Sequence, residues 1–446
     1  MGVTVMRFYG RQAELKLLEE SYKRIQQNAQ MIVVTGRRRM GKTLLSLHYT
    51  ENKPHLYLFV SKKSEPLLCQ EFLDEIARTF TLPVIGAITQ FKDIFALLLE
   101  IAKKQPFVLI IDEFQEFYHI NPSVYSDIQR LWDLNKFESK IQLLFLGSIY
   151  SLMHKIFEES KEPLFGRPNR MIHLRPFSIK ELSLILKEHA QPSLEVLFTY
   201  YMLTGGTPKY IDLFLSEKAF SFDEMIDFVL SENSPFLSEG KNLLIEEFGK
   251  EYENYFSILE LISAGKTSRG EIESILQKDV GGFLEKLEKD YFVISRYKPI
   301  NAKPESELIK YKIKDHFLRF WFRYIYRNRS AVETGNFGYI KKVLENDLAT
   351  FSGYTLEQFF QDLVANSHAY NLIGSYFEPD HTNEIDLVAI NDLDKKMMIA
   401  EIKRNKKRIR LEELKAKAKK LLQAYPEYSV EYLGLSLEDA LLFLGN

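Results

Sequence analysis

The chain has 446 residues, 46% hydrophobic and 27% charged, an ordinary balance for folded domains that excludes wholesale disorder. Lys plus Arg number 59 and Asp plus Glu 61, a net of −2, which excludes a uniformly basic nucleic-acid coat but leaves room for a local basic patch. Cys69 is the only cysteine, so an internal disulfide and a cysteine-based zinc site are excluded; with no apolar run near 18 residues and no signal-like N-terminus in MGVTVMRFYGRQ, a cytoplasmic protein without a membrane partner is expected.

RFYGRQ leads into a helix with an apolar stripe at Leu15, Leu17, Leu18 and Ile25. From 31 to 180, the apolar runs MIVVTG, HLYLFVS, FVLIIDEF, IQLLFLGS and RMIHLRPF alternate with helical stretches such as Pro66–Phe80 and Phe91–Lys104. Buried strands separated by helices predict a parallel α/β sheet. Residues 180–245 carry helical periodicity broken by TGGTP and NSP. Tyr255–Ala264, Arg269–Leu276 and Gly281–Lys289 read as short helices, with YFVISRY and KYKIKD as two strands of a winged-helix unit and Pro299–Leu308 as its loop. FLRFWFRYIYRNR spaces Arg319, Arg323 and Arg327 four apart among Phe320, Trp321, Phe322, Tyr324 and Tyr326. It reads either as a base-stacking face or as aromatics packed into a domain interface. A helix around Leu356–Ala365 precedes the strand-like EIDLVAI and KMMIAEIK, joined by NDLDK, and a basic helix follows at about 411–424. The expected divisions are 1–180, 181–245, 246–335 and 336–446.

Gly36-Arg37-Arg38-Arg39-Met40-Gly41-Lys42-Thr43 fits G-x-x-x-x-G-K-[ST], directly after a strand and before a helix. Glycines let backbone N–H groups turn inward on phosphates, and the helix N-terminus adds partial positive charge. Lys42 is placed to meet the β- and γ-phosphates of ATP, and the Thr43 hydroxyl to hold Mg²⁺. FVLIIDEF puts Asp112 and Glu113 at the end of an apolar strand, with Asp112 suited to Mg²⁺ and Glu113 to polarising the attacking water.

Taken with these motifs, RFYGRQAEL, LIIDEFQ, LFLGS and PLFGR resemble the AAA+/STAND-type P-loop ATPases, in particular the archaeal-type group, over about residues 6–330. The resemblance implies that Arg11 closes over the base, that Ser148 senses the γ-phosphate, and that Gly206-Thr207-Pro208 lines the nucleotide from a helical lid. It also implies that Arg167 is an arginine finger, which when supplied in trans calls for a homo-oligomer. No sensor-2 arginine stands at the lid, a departure from the ring-forming pattern.

The C-terminal part carries a second constellation. Asp386 precedes Glu401 and Lys403 by 15 and 17 residues on two adjacent strand-like runs, which places the three side chains on one face. Two carboxylates can bind Mg²⁺, a lysine can orient water, and Glu357 on the preceding helix can complete the metal shell. The order helix-Glu, strand-Asp, E-x-K resembles the PD-(D/E)XK restriction-nuclease fold over about 350–446; the alternatives are an ordinary hairpin with surface charges and a nuclease fold without activity. From Lys403 to Lys420, ten Lys or Arg against two Glu net +8, a candidate contact for DNA or a solvated helix face.

The expected fold is therefore α/β: a P-loop NTPase core with a parallel sheet, a helical lid, a winged helix and a smaller restriction-nuclease-like C-terminal domain. The expected function is ATP hydrolysis that controls a nucleic-acid-directed, Mg²⁺-dependent C-terminal domain. One alternative is a STAND-like switch whose C-terminal domain is an interaction module; another is a DNA-binding protein without catalysis.

Overall fold

The structure, a computed structural model, describes residues 8–81, 86–189, 193–303, 308–378 and 383–444. The N-terminal stretch ahead of Phe8 and the centre of the Pro299–Leu308 loop lie outside them. The chain forms two compact units, the first running to Pro176 and the second beginning at Phe177.

In the first unit the five apolar runs become β1 (Gln30–Thr35), β2 (His55–Phe59), β3 (Phe107–Asp112), β4 (Ile141–Gly147) and β5 (Arg170–His173). They pair in the order β2-β3-β4-β1-β5, every pair parallel. Alternation along each strand divides the core between the two faces. Met31, Val33, Leu109, Ile111, Leu143 and Phe145 join one apolar cluster, while Ile32, Val34, Val108, Ile110, Leu144 and Leu146 join the other. Helices therefore cover both faces, which is why the strands read as unbroken apolar runs. The register sets Thr35 beside Gly147 and Ile111 beside Phe145, so the ends of β1, β4 and β3 form one edge. Crevices at the carboxyl ends of such strands are where ligands bind in open α/β sheets.

The second unit opens with helices Ile179–His189, Leu194–Thr204, Pro208–Ser216, Phe222–Val229 and Phe236–Phe248. Three more follow, Tyr252–Ser263, Arg269–Leu276 and Gly281–Lys289, and then an antiparallel pair, β6 (Ile294–Tyr297) and β7 (Lys310–Ile313). The last part holds a four-stranded sheet in the order β11-β10-β9-β8, made of β8 (Leu372–Phe377), β9 (Glu384–Asn391), β10 (Lys396–Ile402) and β11 (Ser429–Leu435). The β9–β10 hairpin forms where NDLDK places it: Asn391 Oδ1 accepts from Leu393 and Asp394 N–H, and Lys395 takes φ 51°. The helix Leu411–Leu422 then crosses over to β11, which runs parallel to β10. No helix among the described residues is long and apolar enough to cross a membrane.

Three readings need correction. The helix expected around Leu356–Ala365 is the end of a 30-residue helix, Phe337–Asn366. β8 and β11 were not anticipated, because β8 carries Gly374 at a bulge and β11 alternates weakly on a half-exposed edge. The arginine–aromatic segment is no base-stacking face. It contains a π-helical stretch, Trp321–Tyr326, and Phe320, Trp321, Phe322 and Tyr324 are buried. Arg323 pairs with Asp347 through Nε at 2.5 Å and Nη2 at 2.8 Å, so the segment packs inward as the second reading had it.

Candidate functional site

β1 ends at Thr35 and turns directly into Gly36–Gly41 before the helix Lys42–Thr50. Gly36 has φ 152°, and a Cβ there would stand 2.9 Å from the Leu174 carbonyl oxygen; Gly41 takes φ 80° at the start of the helix. The backbone thus enforces both glycines of the motif. Lys42 is buried, and its Nζ donates to the carbonyls of Gly36 at 2.7 Å and Arg37 at 3.1 Å. The ammonium lies across the loop that leads into the helix N-terminus, where the first N–H groups have no partner within the helix and suit an anion. Arg11, buried and with φ 63°, donates to the Met40 carbonyl at 3.3 Å and pairs with Glu14 at 3.4 Å. The YGRQ segment is thereby tied to the loop.

The acidic strand end meets the loop directly. Thr43 Oγ1 donates to Asp112 Oδ2 at 2.6 Å, and Tyr57 OH donates to the same oxygen at 2.9 Å. Glu113 N–H donates to Asp112 Oδ1 at 2.8 Å. Burial and the adjacent Asp112 push the Tyr57 phenol well above its ordinary range, so it remains a donor. Among the described residues no ion pair involves Asp112; its oxygens accept from neutral donors only. The hydroxyl and carboxylate oxygens of Thr43 and Asp112 are the hard ligands that Mg²⁺ takes. Glu113, at φ 52°, turns back so that Oε2 accepts from Ser148 Oγ at 2.7 Å and Gln115 Nε2 at 2.5 Å.

The structure therefore brings together Arg11, Gly36, Gly41, Lys42, Thr43, Asp112, Glu113 and Ser148. Arg167 is engaged elsewhere, with Asp133 at 3.2 Å and the Phe165 carbonyl at 3.0 Å. Gly206 and Pro208 belong to the second unit. Gly206 has a local reason to be glycine: at φ 84° a Cβ would fall 2.1 Å from the Phe177 carbonyl oxygen. Pro208 is the first residue of its helix, where its missing N–H costs nothing. Sequence reasoning missed Gln115 and Tyr57. Gln115 had one signal, its place two residues after Glu113; Tyr57 had none, since only the sheet sets β2 beside β3.

In the second unit the hairpin register, extended one step past Leu387–Ala400, puts Asp386 opposite Glu401. Asp386 Oδ2 accepts from Ile402 N–H at 2.8 Å and Lys403 Nζ at 3.1 Å. Glu401 lies 3.8 Å from Lys403 Nζ and 3.9 Å from Lys417 Nζ, and it accepts from Arg410 N–H at 3.2 Å. Glu357 faces the same carboxylate: burial and Asp386 push its carboxyl up to about 8. Burial opposes the charge of Lys403, but Asp386 and Glu401 outweigh it and hold its ammonium above the ordinary range. Among the described residues no group of three or more His, Cys, Asp or Glu side chains is arranged to hold a metal ion. The expected Glu357–Asp386–Glu401 shell is thus not assembled; Asp386 and Glu401 are turned to Lys403 and Lys417 instead. The basic run is also less naked than its sequence: Lys403, Arg404, Lys406, Lys415, Lys417 and Lys420 all pair with acids of the second unit.

Comparisons with known proteins agree with this geometry. Residues 8–214 match the family described as an ATPase domain predominantly from Archaea, and residues 321–420 match one described as archaeal and bacterial proteins of unknown function. The uncharacterized protein MJECL04 of Methanocaldococcus jannaschii is 30% identical over 407 residues, 89% of this chain and 87% of the relative. Two solved structures share the fold. The Walker-type ATPase PABY2304 of Pyrococcus abyssi is 18% identical with a TM-score of 0.54, covering 71% of this chain and 96% of its own. The ORC2 protein of Aeropyrum pernix, solved as ADPNP and ADP complexes, is 15% identical with a TM-score of 0.51, covering 74% and 95%. Residues 8–214 thus carry an archaeal-type P-loop ATPase domain, and over nearly its full length the chain belongs to one family with MJECL04.

Proposed function

We propose that this ATPase hydrolyses Mg²⁺-bound ATP at the edge formed by β1, β3 and β4, and that the cycle controls a nucleic-acid-directed C-terminal domain. The observation that carries the first part is the 2.6 Å hydrogen bond from Thr43 to Asp112, residues 69 apart in sequence. Supporting it further, Thr43 follows Lys42 and Glu113 follows Asp112 in the chain. When bound, Mg²⁺ supplies charge neutralisation to the phosphates. In this reading Lys42 binds the β- and γ-phosphates, Thr43 and Asp112 position the metal, Glu113 takes up a proton from water, and Arg11 braces the loop. Gly206 and Pro208 belong to the lid. Arg167 serves as a finger only after exchanging Asp133 for phosphate. The three short helices with β6 and β7 are read as a winged helix, and Glu357, Asp386, Glu401 and Lys403 as a phosphodiester site whose metal shell forms only when a divalent ion displaces the lysines from Asp386 and Glu401. Supporting the last are the helix, β9, β10 order and the mutual contacts of Asp386, Glu401 and Lys403. ATPase and Mg²⁺-dependent nuclease assays on one preparation, with and without DNA, test the pairing; DNA that neither stimulates turnover nor is cut removes the nucleic-acid part.

A second reading is favoured by one observation. Ser148 and Gln115 both hold Glu113 Oε2, an arrangement that suits a slow STAND-like switch whose base is held back. Ser148→Ala decides between them. If Ser148 senses phosphate, turnover falls in the variant; if it restrains Glu113, turnover rises.

A further inference from the structure

Within the second unit, the π-helical stretch, β7, β9 and the long helix Phe337–Asn366 enclose a cavity of about 330 Å³, in the range of small-molecule sites. Its lining carries both acids and cations. Its acids are Glu357, Glu384 and Asp386. Asp386 is paired with Lys403 at 3.1 Å, and Glu384 has Lys310 at 3.9 Å. Two of the three acids therefore already have a cation of the chain beside them.

Of its cations, two have no ion-pair partner among the described residues. Arg323 is neutralised by Asp347. Arg319 is only 6% exposed, yet its Nη atoms reach neutral partners, Gln358 and Thr355, and its Nε has no partner at all. Its guanidinium is held over the rings of Phe351 and Tyr354 at 4.8 and 4.9 Å. Lys312, half-buried on β7, touches the Tyr297 ring at 5.7 Å. Among the described residues neither Arg319 nor Lys312 enters an ion pair. Asp362 attracts Lys312 from beyond ion-pair distance while receiving the Tyr201 hydroxyl at 2.6 Å. A buried guanidinium without a carboxylate is costly unless something supplies the missing charge.

We propose that this cavity binds a small phosphate monoester, with Arg319 and Lys312 receiving the phosphate and Tyr297 and Tyr354 flanking the remainder. A planar guanidinium matches phosphate oxygens. Two cations outside any ion pair match the −1.5 to −2 charge that a monoester carries near neutrality, roughly twice that of a carboxylate. The volume exceeds what one ion fills. The site is separate from the P-loop and does not rest on reading Asp386 and Glu401 as a nuclease.

The test uses the full chain with Lys42→Ala, so that the P-loop does not report, and calorimetric titration with AMP and with inorganic phosphate in separate runs. One site per chain is expected for AMP, weakened about tenfold or more in Lys312→Met, with thermal unfolding confirming that the variant is folded. Arg319→Lys, which keeps the charge but loses the fork, is expected to weaken it by a smaller factor. Binding of inorganic phosphate alone, lost in Lys312→Met, keeps the anion site and makes the free ion its ligand, overturning the monoester. No binding of either probe to folded protein, or affinities unchanged in Lys312→Met, overturns the proposal.

Discussion

The two carboxylate sites of this chain are built from similar residues and prepared for opposite conditions. In the first unit, Asp112 and Glu113 are held by neutral donors: Thr43, Tyr57, Ser148 and Gln115. No cation of the chain is paired with either among the described residues. In the second unit, Asp386 and Glu401 are held by Lys403 and Lys417, and Glu357 is pushed toward its neutral form. That charge is already cancelled within the protein. A hydroxyl that donates to a carboxylate can turn its lone pair to a metal, whereas an ammonium must be displaced. The lesson is that carboxylate spacing alone does not distinguish a site ready for a cation from one that is not; the partners decide.

The largest expected effect tests the first half of the contrast. Glu113→Gln should lower kcat by about 10²–10⁴-fold with ATP binding intact, since the amide keeps the contacts of Ser148 but cannot accept a proton. Normal steady-state turnover in this variant would move the base elsewhere. Next, Lys42→Ala should weaken ATP by about 100-fold or more, from the loss of two or more charge-assisted contacts; calorimetry with unchanged affinity would break the loop assignment. Third, the two sites should respond in opposite directions when a carboxylate's partner is removed. Thr43→Val should reduce the Mg²⁺ dependence of nucleotide binding, while Lys403→Met should raise Mn²⁺ affinity at Asp386 by about tenfold, the competing ammonium being gone. Equal Mn²⁺ isotherms for Lys403→Met and wild type would dissolve the comparison.

A pH series probes Glu357. Its folded carboxyl titrates at about 8, against about 4.3 when unfolded. Between those values the unfolded chain has released a proton that the folded chain retains, so stability falls as pH rises. Below about 4.3 the term is absent, and above 8 it is constant. Glu357→Gln should therefore gain on wild type progressively from pH 5 to pH 8 in urea unfolding, with a slope below about 1.4 kcal/mol per pH unit; a gap independent of pH would mean the carboxyl titrates normally. The smallest effect belongs to Tyr57→Phe. Losing one donor to Asp112 should cost about 1 kcal/mol, or about fivefold in kcat/KM.

Much of this was legible along the chain, and the reason lies in locality. The P-loop, the strand before it and the helix after it occupy consecutive residues, so glycine spacing and apolar runs specify them together. β1 to β4 read clearly because strands covered on both faces must be apolar throughout, and the β9–β10 hairpin read clearly because Asn391 and its neighbours carry the turn. β8 and β11 stayed hidden, being short, half-exposed or interrupted by glycine. The arginine–aromatic segment shows the limit most plainly. Its pattern allowed two destinations, and only Asp347, Thr355 and Gln358, supplied by a helix 30 residues long, drew Arg319 and Arg323 inward.

What the sequence by itself determined is the phosphate loop, the parallel sheet and the identities of Lys42, Thr43, Asp112 and Glu113, because each follows from backbone conformation or strand period within a short window. What only the tertiary structure decided is who stands against each charged group. Tyr57 reaches Asp112 and Ser148 reaches Glu113 because parallel pairing brings β2 and β4 to either side of β3. Lys403 covers Asp386 because an antiparallel hairpin returns it there. Partners of a charge lie across strands and helices, at separations that no local pattern encodes, and it is those partners that set whether the charge is free to act.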